Sequence, residues 1–220
     1  MSKKLFLLHT SAIMVPVFQE LTDKYFKGKD IKVFNIVDDS LIKNTIERGE
    51  LTPDTSHRVV DYVGLAERGG ADFVLATCSS IGAAVEMGAA LSKMPVLRVD
   101  QPMADLAIQM GTRIGVVATL STTLEPSCDL VRRRALVAGK EIKLISRLCE
   151  GAFDALMGGK PELHDQMVAS VLKELSNEVD VILLAQASMA RVVAQLPEED
   201  KKVPILSSPE LAIQYIANIL

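Results

Sequence analysis

No hydrophobic run in this chain approaches the roughly 18 residues that a membrane span requires, so nothing in it reads as a transmembrane segment. The N-terminus, Met1-Ser2-Lys3-Lys4, leads only into the short apolar stretch Leu5 to Leu8. It lacks the longer apolar region and small-residue cleavage site of a secretory signal. Cysteine is sparse: Cys78, Cys128 and Cys149 are odd in number, widely spaced, and match no zinc or disulfide pattern. A cytoplasmic location is the expectation. Basic clusters are lacking too, apart from Arg132-Arg133-Arg134 in a predicted helix, which reads as a solvated face. With a formal net charge of -4, no nucleic-acid partner is expected. There is no Walker-type loop, no G-x-G-x-x-G, and no His/Asp cluster at metal-ligand spacing. No lysine ends a strand where a pyridoxal phosphate Schiff base would need it. The expectation is therefore no metal, no nucleotide and no other cofactor.

What remains is an ordinary packed interior. Apolar residues make up 49% and charged residues 24%, and 220 residues suit one large domain or two small ones. Short apolar runs alternate with helical patterns, the signature of βα units and a parallel sheet. The runs are Lys4–His9, Ile31–Val37, Asp72–Thr77, Val96–Val99, Arg113–Ala118, Ile142–Leu148, Val181–Ala185 and Val203–Leu206. Helical stripes are read at Ile13, Val17, Leu21 and Tyr25, and at Met167, Val168, Val171, Leu172 and Leu175. Thr52-Pro53 and Ser208-Pro209 place a capping hydroxyl before a first-turn proline.

An internal repeat organises these elements. Leu8-His9-Thr10 lies over Val117-Ala118-Thr119 at an offset of 119 − 10 = 109; Asp72 lies over Asp180 at 180 − 72 = 108; Pro95-Val96-Leu97 lies over Pro204-Ile205-Leu206 at 204 − 95 = 109. Three blocks in order at nearly the same offset indicate duplication. The halves are assigned to 1–100 plus 207–220 and to 101–206, with the last helix returning to the first half.

Ligands of open parallel sheets bind beyond the carboxyl ends of the strands. The polar residues there are His9-Thr10-Ser11, Asp38-Asp39-Ser40, Thr77-Cys78-Ser79-Ser80 and Asp100 in the first half. In the second they are Thr119 to Thr123, Cys149-Glu150, Gln186-Ala187-Ser188 and Ser207-Ser208. Cys78 ends a buried strand at the start of a helix, where free N–H groups and the helix dipole favour a thiolate and can hold a carboxylate. Asp38 and Glu150 also fit as helix caps, and Cys149 as a core thiol.

Leu75-Ala76-Thr77-Cys78-Ser79-Ser80-Ile81-Gly82 resembles the first catalytic-cysteine motif of the aspartate/glutamate/hydantoin racemase superfamily. Ile114 to Thr123 resembles the strand opening that family's second half, and Val181 to Ser188 its second motif. The resemblance implies an α/β fold of two pseudo-symmetric, flavodoxin-like lobes with parallel sheets and an inter-lobe cleft. It implies a small carboxylate or dicarboxylate substrate and Cys78 as acid/base or nucleophile, and it is compatible with a homodimer. His9, Thr10, Ser11, Thr77, Ser79, Ser80, Thr119, Thr122, Gln186 and Ser188 are then the substrate-binding set. The family's two-base chemistry needs a second cysteine at position 186, where this chain has Gln186, an amide with no proton to transfer near neutral pH. Three readings follow. Cys149 or Glu150 supplies the second acid/base; or Cys78 works alone, as in a single-cysteine decarboxylase of malonate-type acids or a covalent isomerase; or the chain is a non-catalytic carboxylate-binding protein. His9 is open as a base assisting Cys78. His57 and His164 are read as bland residues of surface helices, and Met87, Met94, Met103 and Met110 as core filler.

Overall fold

The fold is seen in a computed structural model that describes residues 2–220. Eight strands alternate with helices: β1 (Lys3–His9), α1 (Met14–Tyr25), β2 (Ile31–Val37), α2 (Ser40–Arg48), α3 (Pro53–Arg68), β3 (Phe73–Ala76), α4 (Gly82–Leu91), β4 (Val96–Arg98) and α5 (Gln101–Met110). There follow β5 (Arg113–Ala118), α6 (Ser121–Val137), β6 (Lys143–Leu148), α7 (Ala152–Met157), α8 (Pro161–Leu175), β7 (Val181–Leu184), α9 (Ala190–Gln195), β8 (Ile205–Ser207) and α10 (Ser208–Ile219). Each apolar run read from the sequence overlaps one strand, with β1 starting one residue earlier, at Lys3, and β8 ending one residue later, at Ser207.

Two compact units divide the chain: unit 1 is Met1–Gln101 with Pro209–Leu220, and unit 2 is Pro102–Ser208. Each holds one four-stranded parallel sheet, in the order β2-β1-β3-β4 in unit 1 and β6-β5-β7-β8 in unit 2. Central strands are apolar on consecutive residues because helices cover both faces. All four residues of β3, Phe-Val-Leu-Ala, and of β7, Val-Ile-Leu-Leu, are buried, whereas the edge strands β2 and β6 are partly exposed.

The repeat is visible in the ladders. Leu5 pairs with Phe73 and Ile114 with Val181, the same register displaced by 109 and 108. The two repeated aspartates do one job twice. Asp72 accepts from the backbone N–H of Lys4 at 2.9 Å, and Asp180 from that of Arg113 at 2.8 Å. Hydrogen bonds from the Arg113 side chain, and next from its backbone, hold Asp180 down to a pKa of about 2.

In unit 1, one apolar cluster joins Leu5, Leu7, Phe18, Phe73, Leu75 and Leu97 to Ala212, Ile213 and Ile216 of α10. A second lies on the other face, around Leu8, Leu41, Val59, Ile81 and Val85. Unit 2 has its own cluster of Val117, Val168, Leu172, Leu175, Ile182, Leu184 and Met189.

Some sequence expectations move. The stripe on α1 centres on buried Phe18 and Thr22, leaving Ile13 exposed, because the helix begins at Met14 and Ile13 falls outside it. Thr52 caps α3 by accepting from the Thr55 N–H at 3.3 Å, but Ser208 is itself the first residue of α10. Of the methionines read as core filler, Met103 is buried while Met87 and Met110 are exposed on outward helix faces. His164, placed on a surface helix, is fully buried, since its position on α8 is one turn from buried Val168 and faces inward. Among the described residues no helix is long and apolar enough to cross a membrane.

Candidate active site

In unit 1 the carboxyl edge is built by β1 and β3, which are hydrogen-bonded neighbours with Leu8 opposite Ala76. The chain leaves β1 through His9, Thr10 and Ser11, and leaves β3 through Thr77 and Cys78. Cys78 is half-buried and extended, with φ -138° and ψ 123°. A single 3₁₀ turn, Ser79–Ile81, follows and runs into α4. Ser79 and Ser80 are buried, and the Ser79 hydroxyl has no hydrogen-bond partner. An orphaned buried hydroxyl costs stability unless something binds it.

His9 lies behind this edge. It is fully buried, packs edge-on against Phe18, and both ring nitrogens are engaged. Nε2 is 2.9 Å from Asn35 Oδ1, and Nδ1 is 3.0 Å from the Thr77 hydroxyl. Burial holds the His9 pKa below the usual histidine value, partly offset by the Asn35 hydrogen bond. A neutral ring donating from Nε2 to Asn35 leaves Nδ1 to accept from Thr77, whose hydroxyl also lies 3.2 Å from the Leu8 carbonyl. His9 and Thr77, expected to touch substrate, are thus bonded to each other inside the unit. Asn35 was missed; its signal was an amide among Val33, Phe34 and Ile36 of an apolar strand.

Asp38, at the end of β2, is committed in the same way. It accepts from the Ser40 N–H at 3.1 Å, the Ser40 hydroxyl at 2.7 Å and the Tyr62 hydroxyl at 2.7 Å, and pairs with Arg58. Burial raises its pKa, but these hydrogen bonds and the Arg58 charge outweigh burial and hold it below the carboxylate norm. At the end of β4, Arg98 and Asp100 are almost wholly buried and form a two-pronged pair, Nε–Oδ1 3.0 Å and Nη2–Oδ2 2.8 Å. Arg98 also reaches Glu86 of α4 at 2.9 Å. Its guanidinium lies so close to Gly82 that a Cβ there would stand 2.2 Å from Cζ. Arg98 carried no sequence signal beyond a charge inside an apolar run.

In unit 2 the corresponding edge carries Thr119, Thr122, Cys149, Glu150, Gln186 and Ser188 at the ends of β5, β6 and β7. Thr119 is buried, and Gln186 and Ser188 are half-buried. Gln186 Oε1 accepts from the Thr119 N–H at 2.5 Å and the Thr119 hydroxyl at 2.9 Å. The Thr122 hydroxyl, in the first turn of α6, is buried without a partner. Cys149 is 3% exposed within the apolar cluster, and burial pushes its pKa up to about 11. Glu150 beside it is exposed. The Cys149 N–H bonds the Ala118 carbonyl at 2.8 Å, as the Asp38 N–H bonds that of His9 at 3.0 Å, so Cys149 and Asp38 are repeat equivalents in opposite settings. No group of three or more His, Cys, Asp or Glu placed to hold a metal occurs among the described residues.

Two four-stranded parallel sheets, one in each unit, with small hydroxyls at the carboxyl edges of both, define a doubled α/β protein. The model of the Asp/Glu/hydantoin racemase family matches residues 7–216, and the chain belongs to that family, which makes it a racemase-type enzyme. No curated protein sequence matches the chain. Among solved structures it is similar to a provisionally assigned Asp/Glu racemase from Yersinia pestis, with TM-score 0.76 and 16% identity over 99% of this chain and 98% of that one. It is also similar to a glutamate racemase isoform from Bacillus anthracis (0.73, 18%, 99% and 81%) and to an aspartate racemase from Picrophilus torridus (0.71, 14%, 99% and 95%). At these identities the likeness establishes a shared fold.

Proposed function

We propose that this protein is a cofactor-independent racemase- or isomerase-type enzyme acting next to the carboxylate of a small acid, with Cys78 as the acid/base or nucleophile. The observation that carries the reading is the placement of Cys78 at the carboxyl edge of β3, followed at once by the unpartnered buried hydroxyl of Ser79. A substrate carboxylate satisfies that hydroxyl, and Thr10, Ser11 and Ser80 lie on the same edge. The Cys78 thiolate then removes the proton from the adjacent carbon, and the electron pair passes into the carboxylate as an enediolate. Donors already in place for the carboxylate stabilise that charge without reorganising. His9 and Thr77 serve by holding the segment that carries Cys78.

Thr122, Gln186 and Ser188 of unit 2 are assigned as binding groups, with Thr119 holding Gln186. Racemisation needs a second acid/base. The exposed carboxylate of Glu150 suits that role better than Cys149, whose burial and raised pKa disfavour its thiolate. One observation favours a second reading. The Gln186 side chain is bonded to Thr119 and has no mobile proton, which suits chemistry needing a single proton donor. In a malonate-type acid, loss of CO2 leaves its electron pair as an enediolate, the Cys78 thiol protonates the carbon, and water restores the thiol.

The test is deuterium incorporation in D2O by wild type and Cys78→Ala over amino acids, hydroxy acids and substituted malonates, following α-carbon exchange, stereochemistry and CO2 release. Cys78→Ala is expected to lose about 10²–10⁴-fold in rate, the usual worth of a positioned acid/base. Undiminished activity in that variant would defeat the proposal.

A further inference from the structure

Gln186, at the unit 2 edge, has a side chain held at its oxygen end. Its Oε1 takes two hydrogen bonds from Thr119, 2.5 Å from the backbone nitrogen and 2.9 Å from the hydroxyl. The backbone donor fixes which way round the amide lies. Turned over, the group would set NH2 against N–H, two donors facing one another. Nε2 therefore points away from Thr119, and no described residue accepts from it. Thr119 is only 5% exposed, so the bonds to Oε1 are shielded from water and expensive to break.

Resting on the proposed carboxylate site, we infer that Gln186 is a specificity-determining residue: it occupies the donor pair of Thr119 itself and presents the substrate with the two N–H bonds of Nε2 instead. Thr119 then acts on the substrate only through Gln186. The acceptor oxygen of the amide is spent on Thr119, so this end of the site offers donors alone. A substrate must bring an oxygen there, from a second carboxylate, a carbonyl or a hydroxyl, and an ammonium group is rejected because N–H meets N–H. Dicarboxylates and malonate-type acids fit this pattern, and α-amino acids that place their ammonium there do not.

The experiment uses the full-length, ¹⁵N-labelled protein and its Gln186→Glu and Gln186→Ala variants. The Thr119 amide resonance and its hydrogen exchange are recorded, and malonate and succinate are titrated. In Gln186→Glu a carboxylate oxygen still accepts from Thr119, so the amide stays downfield, but malonate and succinate should bind at least about tenfold more weakly, as expected when donors become a like charge. In Gln186→Ala the Thr119 amide should move upfield and exchange at least about tenfold faster, the mark of a lost protecting bond. A Thr119 amide indifferent to Gln186→Ala overturns the latch. Unchanged acid binding in Gln186→Glu overturns the donor role. If Thr119 responds as expected but no acid binds wild type, the carboxylate-site reading has failed instead. The Cys78→Ala exchange experiment, independent of Gln186, identifies that case.

Discussion

His9 shows what a buried titratable ring does when both nitrogens are spoken for. Its folded pKa lies below the unfolded value of 6.5, so between the two the unfolded chain binds more protons. The stability it contributes is complete above about pH 6.5 and is lost as pH falls through the folded value, at no more than about 1.4 kcal/mol per unit. The gap in urea midpoint between wild type and His9→Leu should therefore narrow from about pH 8 to about pH 5; a constant gap would mean the ring does not titrate on unfolding. Gln186 allows a second prediction. Its backbone, φ -133° and ψ 136°, nearly repeats that of Cys78 at φ -138° and ψ 123°. A thiol introduced by Gln186→Cys would end β7 with the backbone that Cys78 has at the end of β3, and would free the Thr119 donors. We expect the Thr119 amide of the variant to exchange with solvent faster than in wild type, measured by NMR, because a thiol is a far weaker acceptor than the amide oxygen it replaces.

At the level of elements, the turn after Cys78 is held by contacts the local sequence does not announce. Gly82 opens α4 against the Arg98 guanidinium, and Arg98 is pinned by Asp100 and Glu86. The glycine backbone there is ordinary helix, so the requirement is one of space and not of dihedral angle. Gly82→Ala must displace a buried, doubly paired arginine, at a cost on the order of 3 kcal/mol. Chemical denaturation measures it. The change should also slow the reaction more than it weakens binding, because α4 and the 3₁₀ turn before it carry Ser79 next to Cys78. A variant as stable as wild type would show that Arg98 can yield. Sequence patterning served the elements themselves well. The consecutive apolar residues of β3 and β7 and the Thr52-Pro53 helix start are local signals, and the structure uses them as such.

For the molecule as a whole, the chain order of unit 1 is interrupted. Its core includes Ala212, Ile213 and Ile216 of α10, packed in one cluster with Leu5, Leu7 and Phe18 of the opening hundred residues. Ile213→Ala or Ile216→Ala should each cost about 2–5 kcal/mol, the usual penalty for emptying a buried aliphatic site. A chain ending at Ser208 should lose hydrogen-exchange protection in β1 to β4 more than in β5 to β8, because α10 packs into the cluster of Leu5, Leu7 and Phe18 while the cluster around Val168 and Leu172 is formed by residues between 117 and 205. Equal loss in both sheets would show that the two cores do not unfold independently.

The sequence by itself determined the strand and helix order, the duplication and the cysteine at a strand end. Those rest on periodicity, local capping and an offset of 108 to 109 residues, all of which are encoded among near neighbours or in plain self-similarity. Tertiary structure alone decided which polar residues at the edges are free to act. His9 and Thr77 look like a rim pair in sequence but bond each other and Asn35, twenty-six residues from His9. Cys149 and Asp38 occupy equivalent positions, yet one is a thiol in an apolar cluster and the other a carboxylate inside a network with Arg58 and Tyr62. The Gln186 amide spends its acceptor on Thr119, sixty-seven residues earlier. Commitments of this kind depend on which side chains the packed fold brings within about 3 Å of one another, and no pattern along the chain records that distance.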